Sequence, residues 1–135
     1  MQEMNIYFVY DKNKEFNGWV AVIDSGKSVF SKRGKSKYKK GVAYAIEGLC
    51  DVLDGIFYRE NFDIKFHCND QQVIDAIDSR FTTKQSINVK ESDNDIWKRF
   101  KAIYLKLKSF NTYKVDKRNQ HYLNAKSQMN NMLEK

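Results

Sequence analysis

Proline is absent from this chain, so no proline-rich linker or recognition tract divides it. Cysteine is nearly absent. Cys50 and Cys68 are the only two, one on an expected helix and one in an expected strand, and two packed thiols in a reducing compartment are expected of them. Neither belongs to a C-x-x-C pair, and beyond His67 no further histidine stands near them, so a zinc site has no support. No G-x-G-x-x-G, P-loop lysine or G-x-S-x-G is present, and a Cys–His nucleophile pair has no motif behind it. No run of eighteen apolar residues occurs, so no membrane-spanning helix and no membrane partner are expected. The stretch Met1 to Tyr10 has neither a basic start nor a small-residue cleavage site. No signal peptide is expected there, and a cytoplasmic location is the expectation.

What remains suits one domain over residues 1–135. Hydrophobic residues make up 41% and aromatics 14%, enough to build a core. The net charge is +7, which points to a polyanionic partner. Seven cations, Lys27, Lys32, Arg33, Lys35, Lys37, Lys39 and Lys40, fall between residues 27 and 40 with no acid among them. Such a run is either a solvated loop and helix start or a phosphate-contacting edge.

Asn5 to Tyr10 reads as a buried strand, Asp11 to Asn17 as a polar turn, and Gly18 to Asp24 as a second strand. Ser25-Gly26 signals a hairpin into a third strand, Ser28 to Lys32. From about Tyr38 to Ile56 the period becomes helical, with Val42, Ile46, Leu49, Leu53 and Ile56 on one stripe. Asp63 to Cys68 is a fourth strand, Asp70 to Ile77 a short helix, and Arg80 to Lys90 a loop. Ser92 and Asp95 fit a capping box that opens a helix with the stripe Ile96, Phe100, Ile103 and Leu107. Thr112 to Val115 is a fifth strand, and a final helix starts near Leu123. The expected class is α/β: a five-stranded mixed sheet in β-β-β-α-β-α-α-β-α order. The strand aromatics Tyr7, Phe8, Tyr10, Phe30 and Phe66 are expected in the core, and Trp97 and Tyr104 beside the later helix stripe.

This order, with several local motifs, resembles the ribonuclease H (type 1) family, especially the branch found alongside viroplasmin-type domains. The resemblance covers nearly the whole chain. It implies a ribonuclease H-like fold and a site where four carboxylates hold two divalent metals about 4 Å apart. The family's first strand reads V-D-G-S-Y-D-K. Here Ile6-Tyr7-Phe8-Val9-Tyr10-Asp11-Lys12 aligns without a gap, placing Tyr7 at the metal-binding acid. On the first long helix the family has Glu before I-L-G-A. Ala45-Ile46-Glu47-Gly48-Leu49 puts Ala45 at that position, with Leu49 and Leu53 following four and eight residues on. Glu47 is followed at those steps by Asp51 and Gly55 and is expected to face water. After the fourth strand Asn69 takes the next acid's place and Asp70 comes one residue late. In the last segment, Arg118 replaces the family's histidine and Gln128 its aspartate.

The matched set Tyr7, Ala45, Asn69 and Gln128 contains no anion, and magnesium needs hard anionic oxygens. The resemblance therefore implies a catalytically inactive ribonuclease H-like domain without metal or other cofactor. Such a domain would bind an RNA–DNA hybrid or duplex RNA through Lys32, Arg33, Lys35, Lys37, Lys39, Lys40 and Arg118, with Lys98, Arg99 and Lys101 adding cations. One alternative is a protein-interaction or assembly module, with a homo-oligomer or another protein as partner. Another is an active magnesium- or manganese-dependent nuclease that uses Asp11, Glu47 and Asp70.

Overall fold

The computed structural model describes residues 2–10, 18–36, 42–91 and 93–133. The expected turn at 11–17, including Asp11, lies outside them, as do Tyr38, Ser92, Lys37, Lys39 and Lys40. Three strands open the chain: β1 (Gln2–Tyr10), β2 (Gly18–Asp24) and β3 (Val29–Lys35). Helix α1 (Val42–Asp54) and a 3-10 turn (Arg59–Asn61) lead to β4 (Phe62–Cys68). Next come α2 (Gln71–Arg80), the strands β5 (Phe81–Thr83) and β6 (Ser86–Ile87), and α3 (Asp95–Tyr104). β7 (Ser109–Lys114) and α4 (Gln120–Leu133) close the fold.

The main sheet has five strands in the order β3-β2-β1-β4-β7. β1–β2 and β2–β3 are antiparallel, while β1–β4 and β4–β7 are parallel. The chain is thus a mixed α/β domain with a mixed sheet. The central position of β1 explains why it lacks a polar side. Ile6 and Phe8 face a large core built with α1, α2 and α3, while Tyr7 and Val9 face a smaller core built with α4. A strand covered on both faces loses its alternation of polar and apolar residues. Full burial of a side chain such as Phe8, Phe66 or Phe100 contributes about 1.5–3 kcal/mol.

The expected α1 stripe is in place, but α1 is enclosed further round than one stripe implies. The sheet lies on one side and α2 and α3 on another, so Ala45, Gly48, Cys50 and Val52 are also buried. Gly48 makes the close approach to the sheet possible. A Cβ there would stand 2.7 Å from Phe8 Cζ and 2.9 Å from Trp19 Cδ1.

Two expectations are corrected here. The segment after Arg80 is a β-hairpin rather than a loop. Its buried residue, Phe81, packs on Trp97, Phe100 and Tyr104, and its strand partner Ile87 packs partly buried against the same core. Phe81 and Ile87 are separated by five polar residues, Thr82 to Ser86, so no alternation is visible. Phe30 is exposed rather than in the core, because it lies near the start of an edge strand that no helix covers there among the described residues.

Candidate functional site

The parallel strands β1 and β4 end side by side, and the residues just past their ends form a polar cluster. β4 stops at Cys68, so Asp70 lies beyond the strand as the N-cap of α2. One Asp70 oxygen accepts the Gln72 backbone N–H at 3.0 Å. The other accepts the phenol of Tyr10, the last residue of β1. Asp70 is only 9% exposed. Burial, and then the bond to Asp70, pushes the Tyr10 hydroxyl well above the usual phenol range, so it stays protonated and donating. The Tyr10 ring leans on Tyr44 (5.5 Å between centroids), whose buried hydroxyl donates to the Gly18 carbonyl at 2.9 Å. Asn69 holds the bend before the cap. Its side chain accepts from the Cys68 thiol (3.8 Å) and its carbonyl accepts from Lys114 Nζ (3.1 Å).

The four positions matched by the gap-free register do not converge. Tyr7 belongs to the α4-side core and Ala45 to the α1-side core, on opposite faces of the sheet. Gln128 lies on α4, where it donates to Asn124 at 3.1 Å. Only Asn69 stands beside Asp70. Side chains alternate along a strand, so Tyr7 and Tyr10, three residues apart, point to opposite faces. The strand-end place next to Asp70 is Tyr10's, not Tyr7's. Alternation ends where β4 ends, so Asp70, one residue past Asn69, is placed by the start of α2 and not by the strand. Glu47, expected to face water, is 7% exposed because α1 is enclosed by its neighbours.

Tyr10 and Asp70 by themselves do not fit a two-metal centre. Both Asp70 oxygens are already engaged, and a protonated phenol is not an anionic ligand. Among the described residues, no three histidines, cysteines or acids gather as metal ligands. The two thiols are buried, and burial pushes each up to about 12, so both stay protonated at neutral pH.

No family model matches the chain, and no curated protein matches its sequence.

The basic residues divide between two places. Lys32, Arg33 and Lys35 stand on β3. Register puts Lys32 opposite Ala21, on the α1 face, and Arg33 opposite Val20, on the α4 face. Lys32 Nζ lies over Gly55 just after α1, where an added Cβ would come within 1.5 Å of it. Beside it, Trp19, Lys32, Arg33, Gly34, Lys35 and Asp51 line a shallow depression of about 380 Å³. Lys32 and Arg33 make no ion pair among the described residues. Arg118 is elsewhere, in the turn after β7, the opposite edge of the sheet. Its side chain is 93% exposed and lies 3.6 Å from Asp116. Arg99, also expected to add a cation, bridges Asp51 (3.0 Å) and Asp54 (2.6 Å) of α1.

Sequence reasoning missed two features. One is the Tyr10–Asp70 pair, which needs the strand register to be seen. The other is a row of rings on the α4 face, made by Tyr7, His67 and Tyr113. The polar alternation Lys65, His67 and Asn111, Tyr113 was its only trace in the sequence.

Proposed function

We propose that this chain is a ribonuclease H-like domain that binds an RNA–DNA hybrid or duplex RNA along its basic β3 edge and does not cleave it. One observation carries the reading: the end of β1 presents a phenol, not a carboxylate, to Asp70, and Asp70 is committed to that phenol and to a helix cap. The sheet order supports the fold part of it. A three-stranded antiparallel meander is extended by parallel strands on the far side of β1, which gives the five-stranded mixed sheet expected. The binding part rests on charge. Lys32 and Arg33 project from both faces of a strand with an open edge, in a chain of net charge +7. Phosphates neutralised by such cations release counterions, which makes binding sequence-independent and salt-sensitive.

The test is hybrid binding by fluorescence anisotropy over a salt series, comparing wild type with Lys32→Glu/Arg33→Glu. Loss of two phosphate contacts should weaken binding and flatten the log–log salt slope by about 2. An unchanged slope would remove the β3 edge from the interface. A second reading, an assembly module, draws on the exposed Val29, Phe30, Phe57 and Tyr58. Size-exclusion chromatography with light scattering tests it. A stable oligomer indifferent to polynucleotides would favour it.

A further inference from the structure

The edge of the sheet opposite β3 carries a surface of a different kind. Helix α4 packs on β1 and β2, and among the described residues no helix covers the same face of β4 and β7. Tyr7, His67 and Tyr113 are direct neighbours across β1, β4 and β7. Their rings form one row. Tyr7 and His67 stack at 4.5 Å and 14°, and His67 and Tyr113 at 5.3 Å and 24°.

The row is fixed at its inner end. Asn119 donates to the Tyr7 hydroxyl at 3.4 Å, and His121 leans on the Tyr7 ring at 5.4 Å. His67 is oriented by Asn5, whose side-chain oxygen accepts from Nε2–H at 2.8 Å. Burial, and then Lys65, lowers the His67 pKa, so the middle ring is neutral at neutral pH.

The outer end of the row is open. Tyr113 is 41% exposed, and β7 is the edge strand, so among the described residues no strand-borne ring follows it. Lys65 lies 6.0 Å from the Tyr113 centroid but is paired with Glu3 of β1, which draws it inward along the sheet. The β7 edge is also strongly basic. Between residues 105 and 119, Lys106, Lys108, Lys114, Lys117 and Arg118 are all exposed, and Asp116 is the single acid.

A ring with a free face, at the end of a fixed stack and flanked by cations, suits one polyanion whose repeating unit carries both a planar ring and a phosphate. In a duplex the base faces are covered by their neighbours and only the edges show in the grooves. In a single strand the faces are available, and stacking on an aromatic side chain contributes about 1–3 kcal/mol per base, largely regardless of sequence. We propose that a base of a single-stranded nucleic acid stacks on the outer face of Tyr113, with its backbone following the lysines of the β7 edge. This surface is separate from the β3 edge and does not rest on the duplex reading.

The experiment uses the full chain and a labelled single-stranded oligodeoxyadenylate of about ten nucleotides, within the usual range of such sites. Anisotropy titrations compare wild type, Tyr113→Ala and Tyr113→Trp, with the hybrid titrated in parallel. Tyr113→Ala should lower the single-strand affinity by about five- to a hundredfold, and Tyr113→Trp should keep or raise it. Hybrid affinity should change by no more than about twofold in either variant. Three results would each overturn the proposal: no binding of the oligomer by wild type, equal binding by Tyr113→Ala, or a Tyr113→Trp variant as weak as Tyr113→Ala. Thermal melts of both variants check that the fold is intact.

Discussion

The two faces of the sheet each carry a row of rings across β1, β4 and β7, and the rows differ in chemistry. On the α1 side the row runs Trp19, Phe8, Phe66 and Phe110, with centroid spacings of 5.8, 5.6 and 6.2 Å. Three of these four are phenylalanines, and helices α1, α2 and α3 pack over this face. On the α4 side the row is Tyr7, His67 and Tyr113, every ring carries a polar atom, and the row leaves the cover of α4 as it crosses β4. A hydrocarbon ring gains most from full burial, whereas a tyrosine or histidine at a boundary can bury its body and keep its polar tip wet. The closed face therefore holds the stability of the domain. The half-open face and the cationic edges at β3 and β7 are the surfaces on which the two proposed binding modes rest.

Truncation of a ring on each face gives the largest contrast. Phe66→Ala should cost about 3–5 kcal/mol in urea denaturation, because it empties a fully buried site. Tyr113→Ala on the open face should cost less than about 1 kcal/mol. Equal costs would erase the distinction between the faces.

A middle-sized effect is expected at the strand ends, on the α1 side. Asp70→Ala removes a helix cap and strands the half-buried Tyr10 phenol, and should cost about 2 kcal/mol. Asp70→Asn keeps one acceptor oxygen for the cap and sets its amide NH2 against the Tyr10 hydroxyl, whose oxygen can accept from it, so it should cost about 1 kcal/mol less than Asp70→Ala. If both variants were equally damaging, a charge-specific role for Asp70 would replace the capping one.

The smallest effect is confined to acid. Arg80 donates to Asp93 at 3.1 and 3.3 Å while its guanidinium lies over Trp97, and this contact pins the β5–β6 hairpin against α3. The Arg80 bonds, and then the Lys90 backbone N–H, hold the Asp93 carboxyl below its usual range. A lowered folded-state pKa adds stability that is present above the unfolded value, about 3.9, and is lost as pH falls through the folded value. The melting difference between wild type and Asp93→Asn should thus be constant above about pH 5 and shrink below about pH 4. A difference that grew in acid would contradict this.

Much of the architecture was legible in the residues, and for a consistent reason. β2 runs from Gly18 to Asp24 as expected, and the α1 stripe is buried as expected, because each is long and strongly patterned. β7 and α4 begin three residues earlier than the pattern suggests. Ser109 is held by Asp63, and Asn119 caps α4 through its own side chain, accepting from His121 and Tyr122. The site was harder to read. A motif aligned without a gap gives no information on which face a strand residue takes, and the difference between Tyr7 and Tyr10 is a difference of face. Glu47 shows the same limit on a helix. Its i+4 and i+8 positions are Asp51 and Gly55, yet Glu47 is buried, because α1 is packed by elements from elsewhere in the chain.

The most direct single measurement is cleavage and binding of one labelled RNA–DNA hybrid with manganese over a salt series, for wild type and Asp70→Asn. A binding domain with Tyr10 set against Asp70 predicts no cleavage by either protein. It also predicts affinity that falls linearly on log–log axes, with a slope of about −0.9 per phosphate contacted. Cleavage by wild type that Asp70→Asn abolishes would contradict it and restore a metal-dependent nuclease.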